Sequence, residues 1–176
     1  MDLQNFTNDL LYFEEPLSPL LVQLLEQAAN RYGPAAEPLL LEACEREPDS
    51  LTVLVALYRF YYYQHRYQDA LIIAEQVMQV AGKRIELPDN WQDITMVHII
   101  NGTQHSFGLV RFYLFALKAA GYLNLRLGHF ATGKSMLTKV VAMDTADRLG
   151  ATILLDILAA HSADVIPFNT KRLEAC

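Results

Sequence analysis

The stretch Gly128-His129-Phe130-Ala131-Thr132-Gly133-Lys134-Ser135 matches the phosphate-loop pattern G-x-x-x-x-G-K-S letter for letter. A phosphate loop follows a buried strand, whose end aims backbone N–H groups at the phosphates. Residues 117–127 instead read Leu-Lys-Ala-Ala-Gly-Tyr-Leu-Asn-Leu-Arg-Leu, which are mostly good helix formers without β-branched residues. We therefore predict that one helix enters the glycine turn and that a second helix leaves it.

The match to the phosphate-loop motif leaves one enzymatic alternative, a nucleotide-binding protein that acts through Gly128–Ser135. Such an enzyme would hydrolyse a nucleotide through Lys134 and Ser135. The apolar run before Asp144 also resembles the magnesium-binding aspartate segment of such enzymes. It follows Ser135 so closely that both would share one helix, which a nucleotide-binding fold does not allow. We therefore expect no catalytic residues, no cofactor and no enzymatic activity.

Composition indicates one globular domain. The chain has 176 residues, of which 52% are hydrophobic and 19% are charged, so it is unlike a disordered polymer. No apolar run approaches the ~20 residues that span a bilayer, and residues 1–6 lack the features of a signal peptide. The two cysteines, Cys44 and Cys176, suggest neither a disulfide nor a metal site. We expect a cytoplasmic protein that binds neither membrane nor metal.

The charge is unevenly distributed along the chain. The net charge of −6 argues against binding to nucleic acid. Residues 1–50 carry ten acidic and two basic residues, whereas residues 51–176 carry ten acidic and twelve basic residues. The acidic part either attracts the basic part, within a chain or between two copies, or forms a solvated helix face.

Helical spacing recurs in nearly every segment. Apolar residues at steps of three and four predict helices over about 17–32, 34–47, 51–64, 67–82, 106–127, 133–142 and 146–160. Gly82 is predicted to cap the fourth helix in the left-handed conformation. Between 83 and 105 we predict turns at Asn101 and Gly102 and a short amphipathic helix through Trp91, Ile94, Val97 and Ile100.

The helix pairs resemble tetratricopeptide repeats. Ala36 and Ala70 are 34 residues apart, which is the period of that family, and Gly133 follows Ala70 by 63 residues. About 29 residues are therefore inserted before the last repeat. The positions that match the family pattern are Leu54, Leu57, Tyr58, Tyr61, Tyr67 and Ala70 in the middle pair, Leu117, Gly121, Gly128, Phe130, Leu137 and Val140 in the last pair, and Leu20, Ala36, Leu40, Ala43 and Pro48 in the first pair. The sequence departs from the pattern at His65, Ala74 and Gly82.

The resemblance implies an all-α fold. It is a right-handed superhelix of antiparallel helix hairpins, with an insertion at about 83–105 and a C-terminal capping helix. Residues 1–15 form an acidic arm, 16–162 a single domain and 163–176 a tail. On this alignment Gly128 forms the turn between helices, and Gly133 takes the place of the alanine at which two helices approach closely.

The resemblance further implies that the first helices of the pairs line a concave groove that binds a protein or peptide partner. The groove positions that we select are Arg59, Tyr62, Tyr63, Phe115, Lys118, Tyr122 and Arg126. The same transfer adds Thr52 and Val55 from the middle repeat and Ser18, Leu21 and Leu25 from the first. This aromatic and basic lining suggests an acidic partner segment.

Some alternatives remain open at this stage. Tyr62 and Tyr63 either face the groove or fill the core. Trp91 either covers the groove as part of a lid or extends the core. His98 and His105 do not suffice for a zinc site. The predicted function is a non-catalytic interaction module, such as an adaptor, co-chaperone or assembly factor, and the third possibility is a homo-oligomeric scaffold.

Overall fold

The computed structural model describes Phe13 and residues 15–31 and 33–163, with side-chain environments up to residue 160. The prediction of an all-α fold is confirmed, since these residues form α-helices and no strand. The helices are α1 (Pro19–Ala29), α2 (Glu37–Arg46), α3 (Leu51–Tyr63), α4 (Tyr67–Arg84), α5 (Met96–Arg126), α6 (Phe130–Met143) and α7 (Ala151–Ala163). Short 3₁₀ turns lie at Gly33–Ala36 and Trp91–Asp93.

Each helix packs against the next one along the chain, so the domain is a row of hairpins. The core runs through the row without a break, with Leu21, Leu54, Leu117 and Leu137 wholly buried. In the part of the chain that the structure describes, no helix combines the length and the apolar character that a bilayer span requires.

Local signals explain several helix ends. Ser18 and Ser50 accept hydrogen bonds from the amides of Leu21 and Val53, and so cap α1 and α3. Ser106 interrupts α5 with extended backbone angles, φ −163° and ψ 112°, and its hydroxyl accepts from the Leu109 amide at 3.1 Å. Ser106 therefore divides α5 into two helical segments, and the second segment begins where the sequence predicts a helix.

Three predictions about turns are wrong. Gly82 is not a left-handed cap, because it lies inside α4, where an added Cβ would be 3.3 Å from the ring of Tyr113. Asn101 and Gly102 lie inside α5, where Gly102 lets Val110 and Ile85 approach closely. The last helix begins at Ala151, because Asp147 and Gly150 adopt positive φ angles of 46° and 64° and end the preceding segment as a turn.

The glycine turn has the predicted helix–turn–helix form. Gly128 has a φ of +84°, and its amide and that of His129 donate to carbonyls at the end of α5. The Gly133 amide donates to the His129 carbonyl at 3.0 Å, as in an ordinary helix. The amides of His129 and Gly133 are therefore engaged inside the hairpin.

The α3–α4 hairpin repeats this turn at an offset of 63 residues. His65 takes the position of Gly128 and also has a positive φ, of 58°. The bond from the Arg66 amide to the Tyr61 carbonyl, at 2.9 Å, corresponds to the bond from His129 to Asn124, at 2.8 Å. The two hairpins thus end their first helices with the same hydrogen bond, although one uses histidine and the other glycine.

The insertion extends the core. Ile85, Leu87 and Ile94 are buried, and Trp91 is half-buried against the same cluster. Lys139 of α6 donates to the carbonyls of Gln92 and Ile94 at 2.8 and 2.9 Å, which ties the insertion to the last hairpin.

Two residues of the predicted N-terminal arm belong to the part of the chain that the structure describes. Phe13 and Glu15, which belong to the predicted arm, pack against the helical domain. Residues 1–12 and 14 of the arm lie outside the described residues, and so do residues 164–176 of the tail.

Candidate partner-binding site

A hollow of about 340 Å³ lies between α3, α5 and α7. We call it the tyrosine hollow. Its lining consists of Tyr58, Tyr62, Phe115, Lys118, Ala119, Tyr122, Gly150, Ile153 and Leu154. The spacing of three or four residues along each helix places these side chains on one face. The hollow therefore combines flat aromatic walls with the first turn of α7.

Tyrosine rings form the wall on the α3 side. Tyr58 and Tyr62 are one turn apart, and their rings stack with centroids 6.0 Å apart. The ring of Tyr62 also meets those of Tyr67, at 6.0 Å, and Tyr122, at 6.4 Å. Burial raises the pKa of Tyr58 to about 12. These contacts hold the rings in place.

Arg126 closes one edge of the hollow. Its guanidinium lies 4.6 Å from the ring centroid of Tyr67 and donates to the Tyr122 hydroxyl at 2.9 Å. This hydrogen bond lowers the pKa of Tyr122, to which Tyr62 also donates. Burial and its hydrogen bond to Tyr122 raise the pKa of Tyr62.

The hydroxyl of Tyr122 is therefore an acidified donor. Its oxygen accepts from Arg126 at 2.9 Å, and its own proton is the one that it can donate. A carboxylate or carbonyl oxygen entering the hollow is the acceptor that suits it.

Lys118 lines the hollow but has a partner within the chain. Its ammonium group donates to the carbonyl of Leu149, just before α7. This bond fixes the connection between α6 and α7 over the middle of α5. Lys118 thus positions Gly150 and the first turn of α7, which form the far wall of the hollow.

The seven predicted groove residues do not form one surface. Tyr62, Phe115, Lys118 and Tyr122 line the tyrosine hollow, and Arg126 lies at its edge. The remaining two, Arg59 and Tyr63, line a separate hollow of about 110 Å³ between α1, the Gly33–Ala36 turn and α3. Arg59, Lys118 and Arg126 are therefore not gathered around one point.

Three positions transferred from the family alignment are not on a groove. Leu21 and Leu25 are core residues, 0% and 6% exposed, and Thr52 is also buried. Leu21 and Leu25 are buried because α1 packs its apolar stripe onto α2 and α3. Ser18 is the N-cap of α1.

Sequence reasoning missed five lining residues, of which Ala119 lies on α5 between the predicted Lys118 and Tyr122. Tyr58 was assigned to repeat packing, and Gly150, Ile153 and Leu154 lie in or next to the helix treated as a cap. A signal for the last two exists in the sequence, since α7 is apolar on all sides and only Asp156 is charged between 151 and 160. A helix that is apolar on all sides packs against other groups on more than one face, so its residues are candidates for the lining of a hollow.

The described residues contain no group of three or more histidine, cysteine, aspartate or glutamate side chains arranged to hold a metal ion.

Comparison with known proteins gives one close relative. The chain is 53% identical over 170 residues to a protein of Azotobacter chroococcum mcd 1, covering 97% of this chain and 96% of that protein. The relative bears the name "uncharacterized 19.8 kDa protein in nifW 5′ region". No profile of a known protein family matches the chain, and no solved structure matches it significantly.

Proposed function

This chain belongs to the family of the 19.8 kDa Azotobacter chroococcum protein, and we propose that it is a non-catalytic protein-interaction module. It binds an acidic segment of a partner protein in the tyrosine hollow. The observation that carries this proposal is the combination of ordered tyrosine rings, an arginine and an apolar helix around one open hollow.

We further propose that the hairpins are tetratricopeptide-like repeats. The turn geometry shared by His65 and Gly128, at an offset of 63 residues, supports this assignment. So does the burial of Ala70 and Gly133, the small residues that the pattern requires at helix contacts. In this assignment α1, α3, α5 and α7 are the first helices of successive repeats, and the hollow lies on the side that they share.

The charge distribution supports an acidic partner segment. Helices α3 and α5 contain no acidic residue, whereas the whole chain has 20 acidic and 14 basic residues. Their cations are Arg59, Arg111, Lys118 and Arg126. A segment that places an aromatic or aliphatic side chain between the tyrosines, and a carboxylate near Tyr122 and Arg126, matches this surface.

The test compares three full-length proteins in a co-purification and peptide-array experiment. Arg126→Glu reverses the charge at the edge of the hollow. Lys134→Glu makes the same change of charge at an exposed position on α6. We expect partners and acidic peptides bound by the wild type to be retained by Lys134→Glu and weakened at least about tenfold by Arg126→Glu. Equal binding by both variants would remove the tyrosine hollow from the proposal.

A homo-oligomeric scaffold is the second candidate. It is favoured by Ile153 and Ile157, which are 62% and 51% exposed on α7. A separate variant, Ile157→Asp, addresses it, because light scattering of this protein should show dissociation if copies meet through α7. A wild-type monomer at all concentrations excludes this candidate.

The nucleotide-binding alternative has a direct assay. Calorimetric titration with magnesium and ATP should give no binding heat for the wild type or for Lys134→Ala. Tight binding that disappears in Lys134→Ala would instead support a phosphate-loop enzyme.

A further inference from the structure

The described part of the N-terminal arm is seated on the domain in the manner of a bound peptide. Phe13 is 9% exposed, and its ring meets that of Phe112 edge-on with centroids 4.7 Å apart. Two residues later, the side chain of Glu15 is 10% exposed. An aromatic residue and a carboxylate are thus both buried by groups that lie far away in the sequence.

Four donors surround the Glu15 carboxylate. Its Oε2 accepts from the Ser50 hydroxyl and the Thr52 amide, both at 2.9 Å. Its Oε1 accepts from the Leu51 amide at 3.3 Å and from the Arg84 guanidinium at 2.9 Å. The positive end of the 13-residue helix α3 and a guanidinium therefore act on the same carboxylate.

The receiving groups are themselves held in place. Arg84, at the end of α4, also donates to the carbonyl of Asp49, which orients its guanidinium toward Glu15. Phe112 is a buried residue of α5. The side chain of Thr52, a residue 6% exposed on the same first turn of α3, lies beside this carboxylate as well.

We propose that Arg84, Phe112 and residues 50–52 form a second protein-binding site, which recognises partner segments that carry an aromatic residue two positions before a carboxylate. Phe13 and Glu15 are its resident ligand, and the partner segment displaces them. None of these residues lines the tyrosine hollow, so this proposal is independent of the first.

The resident ligand sets the condition for binding. Only residues 16–18 separate Glu15 from α1, so the local concentration of the resident segment at the site is on the order of millimolar. A weakly binding peptide therefore cannot enter the wild-type protein, and a partner must contribute additional contacts or arrive when the arm has left. Removing the two anchoring side chains opens the site.

The experiment uses a fluorescent peptide with the sequence of residues 10–18, Leu-Leu-Tyr-Phe-Glu-Glu-Pro-Leu-Ser. Fluorescence anisotropy measures its binding to the full-length protein and to the Phe13→Ala/Glu15→Ala double variant. We expect the double variant to bind at least about tenfold more tightly than the wild type. Adding Arg84→Ala to the double variant should abolish this gain, whereas adding Lys83→Ala, at the exposed neighbouring position, should preserve it.

Each outcome decides the proposal. Binding that depends on Arg84 supports it, and no binding up to about 1 mM by a variant with wild-type circular dichroism overturns it. If the double variant loses its helical signal, the same titration is made with Glu15→Gln, which retains Phe13. A concentration-dependent wild-type dimer that disappears in the double variant would assign the site to the arm of a second copy, and would overturn the assignment to a partner.

Discussion

Gly133 of α6 packs directly onto Gly121 of α5. A Cβ placed on Gly133 would lie 2.7 Å from the carbonyl oxygen of Gly121 and 2.7 Å from the Leu125 side chain. The first of these atoms is backbone, so it cannot move without shifting a helix. The pair of glycines therefore sets the distance between the two helices of the last hairpin.

Gly133→Ala should consequently destabilise the protein by about 1–3 kcal/mol, because the extra methyl group overpacks this contact. Urea unfolding followed by circular dichroism measures the change. Lys134→Ala, one residue further along and exposed, is the control and should change stability by less than about 0.5 kcal/mol. Equal stability of the wild type and Gly133→Ala would contradict the close helix contact.

Glu15 should make the stability of the domain depend on pH. Burial alone would raise the pKa of Glu15, but hydrogen bonds from the Thr52 amide, Arg84 and Ser50 outweigh it and hold the pKa below the ordinary 4.5. The stabilisation by the charged Glu15 carboxylate is therefore fully present above about pH 4.5 and is lost as the pH falls through the folded-state pKa of Glu15.

Glu15→Gln should lower the free energy of unfolding by about 1–2 kcal/mol at pH 7, because a charge-assisted set of hydrogen bonds is replaced by a neutral one. Urea titrations at pH 7 and pH 3 measure both proteins. The difference between them should shrink at pH 3. Glu42→Gln, whose carboxylate pairs with Arg46 at the surface, is the control and should show a much smaller difference at pH 7. If the difference in unfolding free energy between the wild type and Glu15→Gln is the same at pH 3 and pH 7, Glu15 stabilises the domain through its shape rather than its charge.

The fold was largely predictable from local sequence signals. Seven helices were expected near their observed positions because apolar spacing, Ser50 and the residues around Gly128 act over a few positions. Gly82 and Gly102 were misassigned because glycine has two uses, a left-handed turn and a close helix contact. Which use applies depends on tertiary contacts with α5 side chains, namely Tyr113 against Gly82 and Val110 against Gly102.

The candidate site was less predictable than the fold. Tyr62 and Tyr122 line one hollow, whereas Arg59 and Tyr63 line a different one because α1 and the Gly33 turn pack beside them. The position of α7 depends on the turn at Asp147 and Gly150, so Ile153 and Leu154 could not be assigned to the site by spacing. The bond from Lys118 to Leu149 likewise joins positions that are 31 residues apart.

Lys118→Met should therefore weaken the attachment of α7 to the rest of the domain, in addition to any effect on the binding of a partner. The variant keeps the apolar stem but leaves the Leu149 carbonyl without its ammonium donor. We expect faster amide hydrogen exchange in α7 and a loss of about 1–2 kcal/mol of stability. Exchange in α1 and α2, which lie at the other end of the row, serves as the internal control. Unchanged protection of α7 would show that Lys118 does not fix this helix.

The tyrosines of the hollow should ionise in a defined order. The hydrogen bond from Arg126 lowers the pKa of Tyr122 below the ordinary 10, whereas burial raises that of Tyr58 to about 12. Ultraviolet difference spectroscopy should show an early phenolate that is absent in Tyr122→Phe. Arg126→Gln should shift this early ionisation to higher pH, because a neutral amide stabilises the phenolate less than a guanidinium does. Tyr58→Phe is the matched control, since it should remove only a late ionisation. An early phenolate that persists in Tyr122→Phe would show that Arg126 does not acidify this hydroxyl, and the proposed donor for a partner carboxylate would then be lost.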